Sequence, residues 1–258
     1  MISIDSHVIQ PTVFPDKTSQ VWHLSAEMCL QIVADKHVKI DWQFENESEI
    51  FHICQLCDLL RSYCPDLVIT LHAPYLPYAR QDKSINNNNT FALFTFVGLM
   101  RNYVNKIICF DLHCWHDVLE GFITVQSPDH IIRRIIKQYK YDYTIYPDES
   151  AAKRYILRTN KDFVLLKQRD PETGYITMSE PLARSKFKDL QGQRCLIVDD
   201  ICDGGMTFKL AAEAIHKNTK PKCVDLYCSH LILSKGVDTL YESGITNIYS
   251  RKGLEYSK

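Results

Sequence analysis

The sequence predicts an α/β protein built from two doubly wound, parallel-sheet domains. Three observations lead there. Short apolar, strand-like runs alternate with stretches of helical spacing, which is the pattern of strand–helix–strand units. The length of 258 residues leaves room for two compact units of roughly 130 residues each. A composition of 45% hydrophobic and 24% charged residues is that of an ordinary globular chain and excludes collagen-like, mucin-like and wholly disordered classes.

The elements follow in order. Residues 67–71 (LVITL) form an apolar run just after Pro65 and read as a buried strand. Residues 90–103 carry apolar side chains at helical spacing, and 106–111 (KIICFD) read as a second strand. Residues 131–139 are helical in pattern, 142–146 extended, 151–158 helical and 162–166 (DFVLL) extended. Residues 194–199 (RCLIVD) make a strong strand, followed after a glycine pair by a helix through His216. Residues 222–233 read as extended, 235–243 as helix and 245–249 as a last strand. Pro128 marks the expected boundary, giving domains 1–127 and 128–258. The asparagine run 86–89 reads as an exposed loop.

Charge and cysteine usage narrow the class further. Thirty basic against 31 acidic residues give a formal charge of −1, which offers no footprint for nucleic acid. The most apolar stretch, 91–100, is interrupted by Thr95 and Gly98 and falls short of the ~18 apolar residues a membrane span needs. The first twenty residues combine neither a basic start nor an apolar centre, so no secretory leader is expected. Several of the ten cysteines, Cys29, Cys109, Cys195, Cys223 and Cys228 among them, sit within apolar runs and read as buried, reduced thiols. The Cys54–Cys57 pair falls on a helix without a second ligand pair, which argues against zinc there. A cytoplasmic, reducing setting is the expectation.

The sharpest chemical signal lies after the 194–199 strand. Asp199–Asp200 is the chain's single Asp-Asp pair and Gly204–Gly205 its single adjacent glycine pair, in a chain with nine glycines. Both fall between a strand and a helix, at the strand end where open α/β sheets bind ligands. A glycine turn before a helix N-terminus presents N–H groups to an anion such as phosphate. Thr207 adds a hydroxyl, and two carboxylates can accept hydrogen bonds from vicinal sugar hydroxyls. Taken alone, the string also fits an exposed acidic turn with Asp203 as helix cap.

Five other segments carry chemistry. Tyr75-Leu-Pro-Tyr-Ala-Arg80-Gln81-Asp82-Lys83 follows a strand and offers a planar guanidinium and an amide to phosphate oxygens. Asp111-Leu112-His113 ends the next strand, and Pro147-Asp148-Glu149-Ser150 ends another. Lys167-Gln168-Arg169 places two cations on one face if extended, although a hairpin with exposed positive charge fits equally. Phe14-Pro15-Asp16-Lys17-Thr18 offers a ring to stack and a carboxylate acceptor.

Together, from about Phe14 to Tyr249, these segments resemble the ribose-phosphate diphosphokinase (phosphoribosyl-pyrophosphate synthetase) family, of which this would be a short member. The 199–207 run also resembles the sugar-phosphate loop of phosphoribosyltransferases, with Met206 where the family usually has glycine. The resemblance implies two domains of phosphoribosyltransferase type, the first on the ATP side and the second binding ribose 5-phosphate. It implies transfer of the β,γ-diphosphoryl group of ATP to the sugar's 1-hydroxyl, with Mg²⁺ as cofactor. Lys167 and Arg169 would be catalytic. Phe14, Asp16, Arg80, Gln81 and Asp82 would bind ATP, and His113 and Asp148 the metal. Asp199, Asp200, Asp203, Gly204, Gly205 and Thr207 would bind ribose 5-phosphate. A homo-oligomer based on dimers, up to a hexamer, without nucleic-acid or membrane partners, is implied as well. Two alternatives stand beside it: a phosphoribosyltransferase that consumes phosphoribosyl diphosphate, and a catalytically silent subunit that regulates an active synthetase.

Overall fold

The computed structural model describes residues 1–22, 24–84, 90–155, 161–169, 176–179 and 186–258, with the side chains of Gln168, Arg169, Ile176 and Thr177 left out. The expected loop at 86–89, the far end of the 151–158 helix, the segment following Arg169 and the Arg169 side chain therefore lie outside the described residues. The chain divides into two compact units, Met1–Gln126 and Ser127–Lys258.

In the first unit the chain runs β1 (Ile2–Ile4), β2 (His7–Ile9), β3 (Thr12–Val13), β4 (Ser19–Gln20), α1 (Ala26–Asp35), β5 (His37–Trp42), α2 (Ser48–Tyr63), β6 (Val68–His72), α3 (Ala92–Met100), β7 (Lys106–Phe110) and β8 (Ile123–Gln126). The main sheet has the order β2-β1-β5-β6-β7-β8. Strands β5 to β8 pair in parallel, and β1 pairs antiparallel with both β2 and β5. The parallel strands bury Ile40, Trp42, Ile69, Leu71 and Ile107 against Ile53, Leu56 and Leu60 of α2 and Leu93 and Val97 of α3. Cys54 and Cys57 belong to this core, where burial pushes the Cys57 thiol up to about 12.

The second unit runs α4 (Asp129–Tyr139), β9 (Tyr143–Tyr146), α5 (Glu149–Arg154), β10 (Asp162–Val164), β11 (Leu166–Arg169), β12 (Ile176–Ser179), β13 (Arg194–Cys202), α6 (Met206–Asn218), β14 (Cys223–Leu231), α7 (Asp238–Glu242), β15 (Ile245–Ser250) and β16 (Gly253–Ser257). Its main sheet is β10-β9-β13-β14-β15-β16, parallel throughout except for the antiparallel edge strand β16. Strand β13 is central, and Cys195, Leu196, Ile197 and Val198 are all buried. Burial on both faces explains why this strand reads as a continuous apolar run rather than an alternating one.

Strand order fixes where a ligand can enter the second unit. From β9 the chain goes to β10 on one side, then returns to β13 on the other side of β9 and proceeds to β14. The connections that leave β9 and β13 therefore diverge, and a crevice opens at the carboxyl ends of these two neighbours. All ten cysteines are free. No helix among the described residues is long and apolar enough to cross a membrane.

Candidate functional site

The β9–β13 crevice of the second unit gathers most of the residues singled out in sequence. Asp148 follows β9 and is the N-cap of α5, its Oδ1 accepting the Ala151 N–H at 3.0 Å. Its other oxygen, Oδ2, lies 3.6 Å from Lys167 Nζ. Lys167 belongs to a β11–β12 hairpin, paired opposite Met178. Arg169 closes the same strand opposite Ile176. The segment 166–169 is thus one strand of a two-stranded antiparallel sheet, and its lysine reaches Asp148 by a direct ion pair.

Asp199 and Asp200 lie within β13, one residue apart and in different surroundings. Asp200 is buried and forms an ion pair with Arg154 of α5. Asp199 Oδ1 accepts the Asp200 N–H at 2.9 Å. Burial, then the like charge of Asp200, and more weakly that of Asp148, push the Asp199 carboxyl well above the usual carboxylate range. One carboxylate of the pair is neutralised by a guanidinium, while its neighbour holds its proton more tightly.

The turn after β13 leads directly into the N-terminus of α6. Gly205 has φ +74°, in the left-handed region, and a Cβ there would come within 3.0 Å of Leu240 Cδ2. The glycine requirement thus falls on Gly205. Met206 is the first residue of α6 and is 50% exposed, so its side chain can leave the turn toward solvent. The first turn of α6 carries no acidic side chain, whereas its last turn carries His216 and Lys217. The positive end of the helix dipole, without a carboxylate in the first turn to offset it, suits an anion. Thr207 sits in that first turn, and Asp203 and Gly204 precede it, all partly buried.

Two further cations lie here. Arg154 is one. Lys235 is the other, its stem lying 3.5 Å from where a Cβ on Gly204 would stand. The 232–236 turn that presents Lys235 is held to β13 by two N–H groups, of Ile232 and Leu233, both donating to Cys202 O.

In the first unit the remaining residues lie at or near the carboxyl ends of β6 and β7, with the β3–β4 hairpin separate. Tyr78, at φ +64°, shapes the loop after β6. Its hydroxyl donates to Glu47 Oε1 at 2.8 Å and its ring packs on Phe96 with centroids 5.4 Å apart. A left-handed conformation at a residue with a bulky side chain is uncommon and costs about 1–3 kcal/mol, so these anchors hold a strained turn. Arg80 and Gln81 are exposed at its end, and Asp82 is partly buried. Burial alone would raise the Asp82 carboxyl. Hydrogen bonds from Cys114, its own main chain and His116, with the Lys83 charge, outweigh burial and hold it low. Asp111, also left-handed at φ +46°, ends β7 and delivers the partly buried His113.

Phe14 and Asp16 occupy the tip of the β3–β4 hairpin. Asp16 Oδ1 accepts the Thr18 N–H at 3.0 Å and the Thr18 hydroxyl at 2.7 Å, and these bonds lower its pKa. Lys17 takes φ +69°, in the left-handed region. The Phe14 ring lies 6.2 Å from that of Trp22. His113 and Asp148, paired by the sequence reading, belong to different units.

Comparison with known proteins agrees with this architecture. The family described as "Phosphoribosyl transferase domain" matches residues 154–245, which include β13, the 199–207 turn and α6. A ribose-phosphate pyrophosphokinase of Marinomonas sp. is 27% identical over 188 residues, covering 68% of this chain and 57% of the relative. Proteins of the same name from Sulfurisphaera tokodaii and Saccharolobus solfataricus are 25% and 26% identical, each covering 70% of this chain and 63% of the relative. The chain thus spans about 57–63% of the length of these relatives. The crystal structure of phosphoribosylpyrophosphate synthetase from Mycobacterium smegmatis superposes with a TM-score of 0.64 at 20% identity, covering 78% of this chain and 66% of that one. By matched domain, sequence and fold together, the chain is similar to the ribose-phosphate pyrophosphokinases and has the phosphoribosyltransferase-type α/β fold.

Proposed function

We propose that the chain transfers the β,γ-diphosphoryl group of ATP to the 1-hydroxyl of ribose 5-phosphate, releasing AMP and 5-phosphoribosyl 1-diphosphate. The observation that carries this reading is the contact between Lys167 and Asp148 beside the Asp199–Asp200 pair. A phosphoribosyltransferase needs the sugar-phosphate cradle but gives no reason for a hairpin cation at its edge or for the 75–83 segment.

In this reading the 203–207 turn, with Gly204, Gly205 and Thr207, takes the 5-phosphate, and Lys235 adds charge beside it. Asp199 and Asp200 accept hydrogen bonds from the ribose hydroxyls, with Arg154 keeping Asp200 fixed. Arg80 and Gln81 hold phosphate oxygens of the nucleotide, Asp82 orders their loop, and Phe14 and Asp16 address its base. The sugar oxygen forms its bond to the β-phosphorus as the bond from that phosphorus to the AMP oxygen breaks. The hydroxyl proton leaves to solvent, and no covalent enzyme intermediate is required. Lys167 and Arg169 offset charge on the transferring group, a task of positioning and electrostatics rather than bond chemistry.

The acidic oxygens of Asp148, Asp199 and Asp200 are hard donors, and the raised Asp199 pKa marks a place where added positive charge is favoured. They fit Mg²⁺. Asp148 is the residue of this unit proposed to hold it, where it would supply charge neutralisation for the phosphate oxygens, and His113 is proposed as a metal ligand within the first unit. Ten free thiols suit a reducing, cytoplasmic setting. Assembly as a homo-oligomer is part of the proposal. Incubation with Mg·ATP and ribose 5-phosphate should release AMP only when both substrates are present. Release of pyrophosphate from added phosphoribosyl diphosphate and a base, without use of ATP, would favour the transferase instead.

A further inference from the structure

A cluster in the first unit has a different chemistry from the oxygen-rich crevice. Asp82 lies in the loop after β6, and Cys114 and His116 in the loop after β7. Asp82 Oδ2 is 3.5 Å from His116 Nε2. One carboxylate oxygen, one thiol sulfur and one imidazole nitrogen from these residues all lie within 4.8 Å of one another, the sole such group of three among the described residues. All three are partly buried, so they are shielded yet reachable. The His116 ring packs against Phe91 with centroids 5.2 Å apart, and Cys114 Sγ donates to Ala79 O at 3.4 Å. The ring contact holds the His116 imidazole beside Asp82, and the thiol is held against the Ala79 carbonyl of the same loop as Asp82.

We propose that Asp82, Cys114 and His116 form a zinc-class cation site that ties the loop after β6 to the loop after β7. Tetrahedral zinc, with bonds of ~2.0–2.3 Å, sets its ligand atoms roughly 3.3–3.8 Å apart. The Asp82–His116 distance already meets this, and the wider pairs need to close by about 1 Å. Sulfur and imidazole select zinc over magnesium, which takes oxygen. Three protein ligands leave a fourth position for water or a ligand oxygen. Arg80 and Gln81 lie just before Asp82, and His113 just before Cys114, so the cation would fix both loops of the proposed nucleotide side. The site goes beyond the diphosphokinase reading and does not require it.

The full chain, reduced and stripped with a chelator, is titrated with Co²⁺ as the zinc surrogate and followed by absorption. The expected result is one equivalent bound, with a thiolate-to-cobalt charge-transfer band that Zn²⁺ abolishes and excess Mg²⁺ does not. Cys114→Ser should remove that band, and His116→Asn should weaken Co²⁺ binding by at least about tenfold, with circular dichroism confirming that both variants fold. Should Cys114→Ser not fold, His116→Asn alone carries the test. No band in the parent chain, or a band and affinity unchanged in the folded variants, overturns the proposal. The readout needs no substrate, so its failure is separate from failure of AMP release.

Discussion

Lys167 Nζ lies 3.6 Å from Asp148 Oδ2, joining the β11–β12 hairpin to the N-cap of α5. This contact brings a cation from β11 to the carboxyl end of β9, next to the strand that carries Asp199 and Asp200. It gives the β9–β13 crevice both signs of charge, which a reaction that moves a diphosphoryl group between oxygens requires.

If the hairpin cations act on the transferring group, they matter more in the transition state than in sugar binding. The double variant Lys167→Ala with Arg169→Ala should lower kcat by about 10³-fold or more while ribose 5-phosphate affinity stays within about threefold. Turnover and calorimetric binding measured on the same preparation check this, and equal losses in both would assign the pair to ground-state binding.

Asp148 has two separable tasks, capping α5 with one oxygen and facing Lys167 with the other. Asparagine caps a helix about as well as aspartate, so Asp148→Asn should leave α5 intact. It should raise the Mg²⁺ concentration for half-maximal turnover by about tenfold. A metal titration at fixed substrates reads the change, and an unmoved midpoint removes Asp148 from the metal set.

Folding raises the Asp199 pKa, so the folded chain keeps this proton at pH values where the unfolded chain has lost it. Its contribution to stability is full below the ordinary carboxylate range, near pH 4, and is lost as pH rises through the folded pKa. Asp199→Asn retains an oxygen for the Asp200 N–H and carries no charge. The variant should be more stable than the parent at neutral pH by about 1 kcal/mol, or about 2–4 °C in Tm, with the gain vanishing toward pH 4. Thermal unfolding across this pH range is the check.

Asp225 is fully buried in β14 and accepts hydrogen bonds from Tyr141, Thr246 and Asn247, the Asn247 N–H at 2.8 Å. Its removal strands the buried Tyr141 hydroxyl and the partly buried donors of Thr246 and Asn247 at once. Asp225→Ala should destabilise the second unit by about 3 kcal/mol or more, and Asp225→Asn by less. Urea unfolding distinguishes the two.

The parts of the fold legible in sequence are those whose local pattern agrees with their burial. Strands β6, β7 and β13 are apolar runs buried on both faces, and α6 is announced by a glycine pair that the backbone uses at φ +74°. The amino-terminal strands are not legible. Strands β1 and β2 are three residues long and turn through Asp5 and Ser6, both left-handed, without the Asn-Gly signal of such a turn. The antiparallel strands β1, β2 and β16 modify sheets that the strand–helix alternation presents as purely parallel. In the crevice, the carboxylates and the glycine turn were readable because motif and strand end coincide. Arg154 was not, because it is an ordinary surface-type residue in sequence and reaches Asp200 only through the turn of α5.

Phosphorus NMR of the chain mixed with Mg·ATP and ribose 5-phosphate tests the diphosphoryl-transfer reading most directly, because it identifies which phosphorus moves. AMP and a sugar 1-diphosphate should grow in together at equal rates. Formation of ADP, or ATP left intact while both substrates bind, would contradict it.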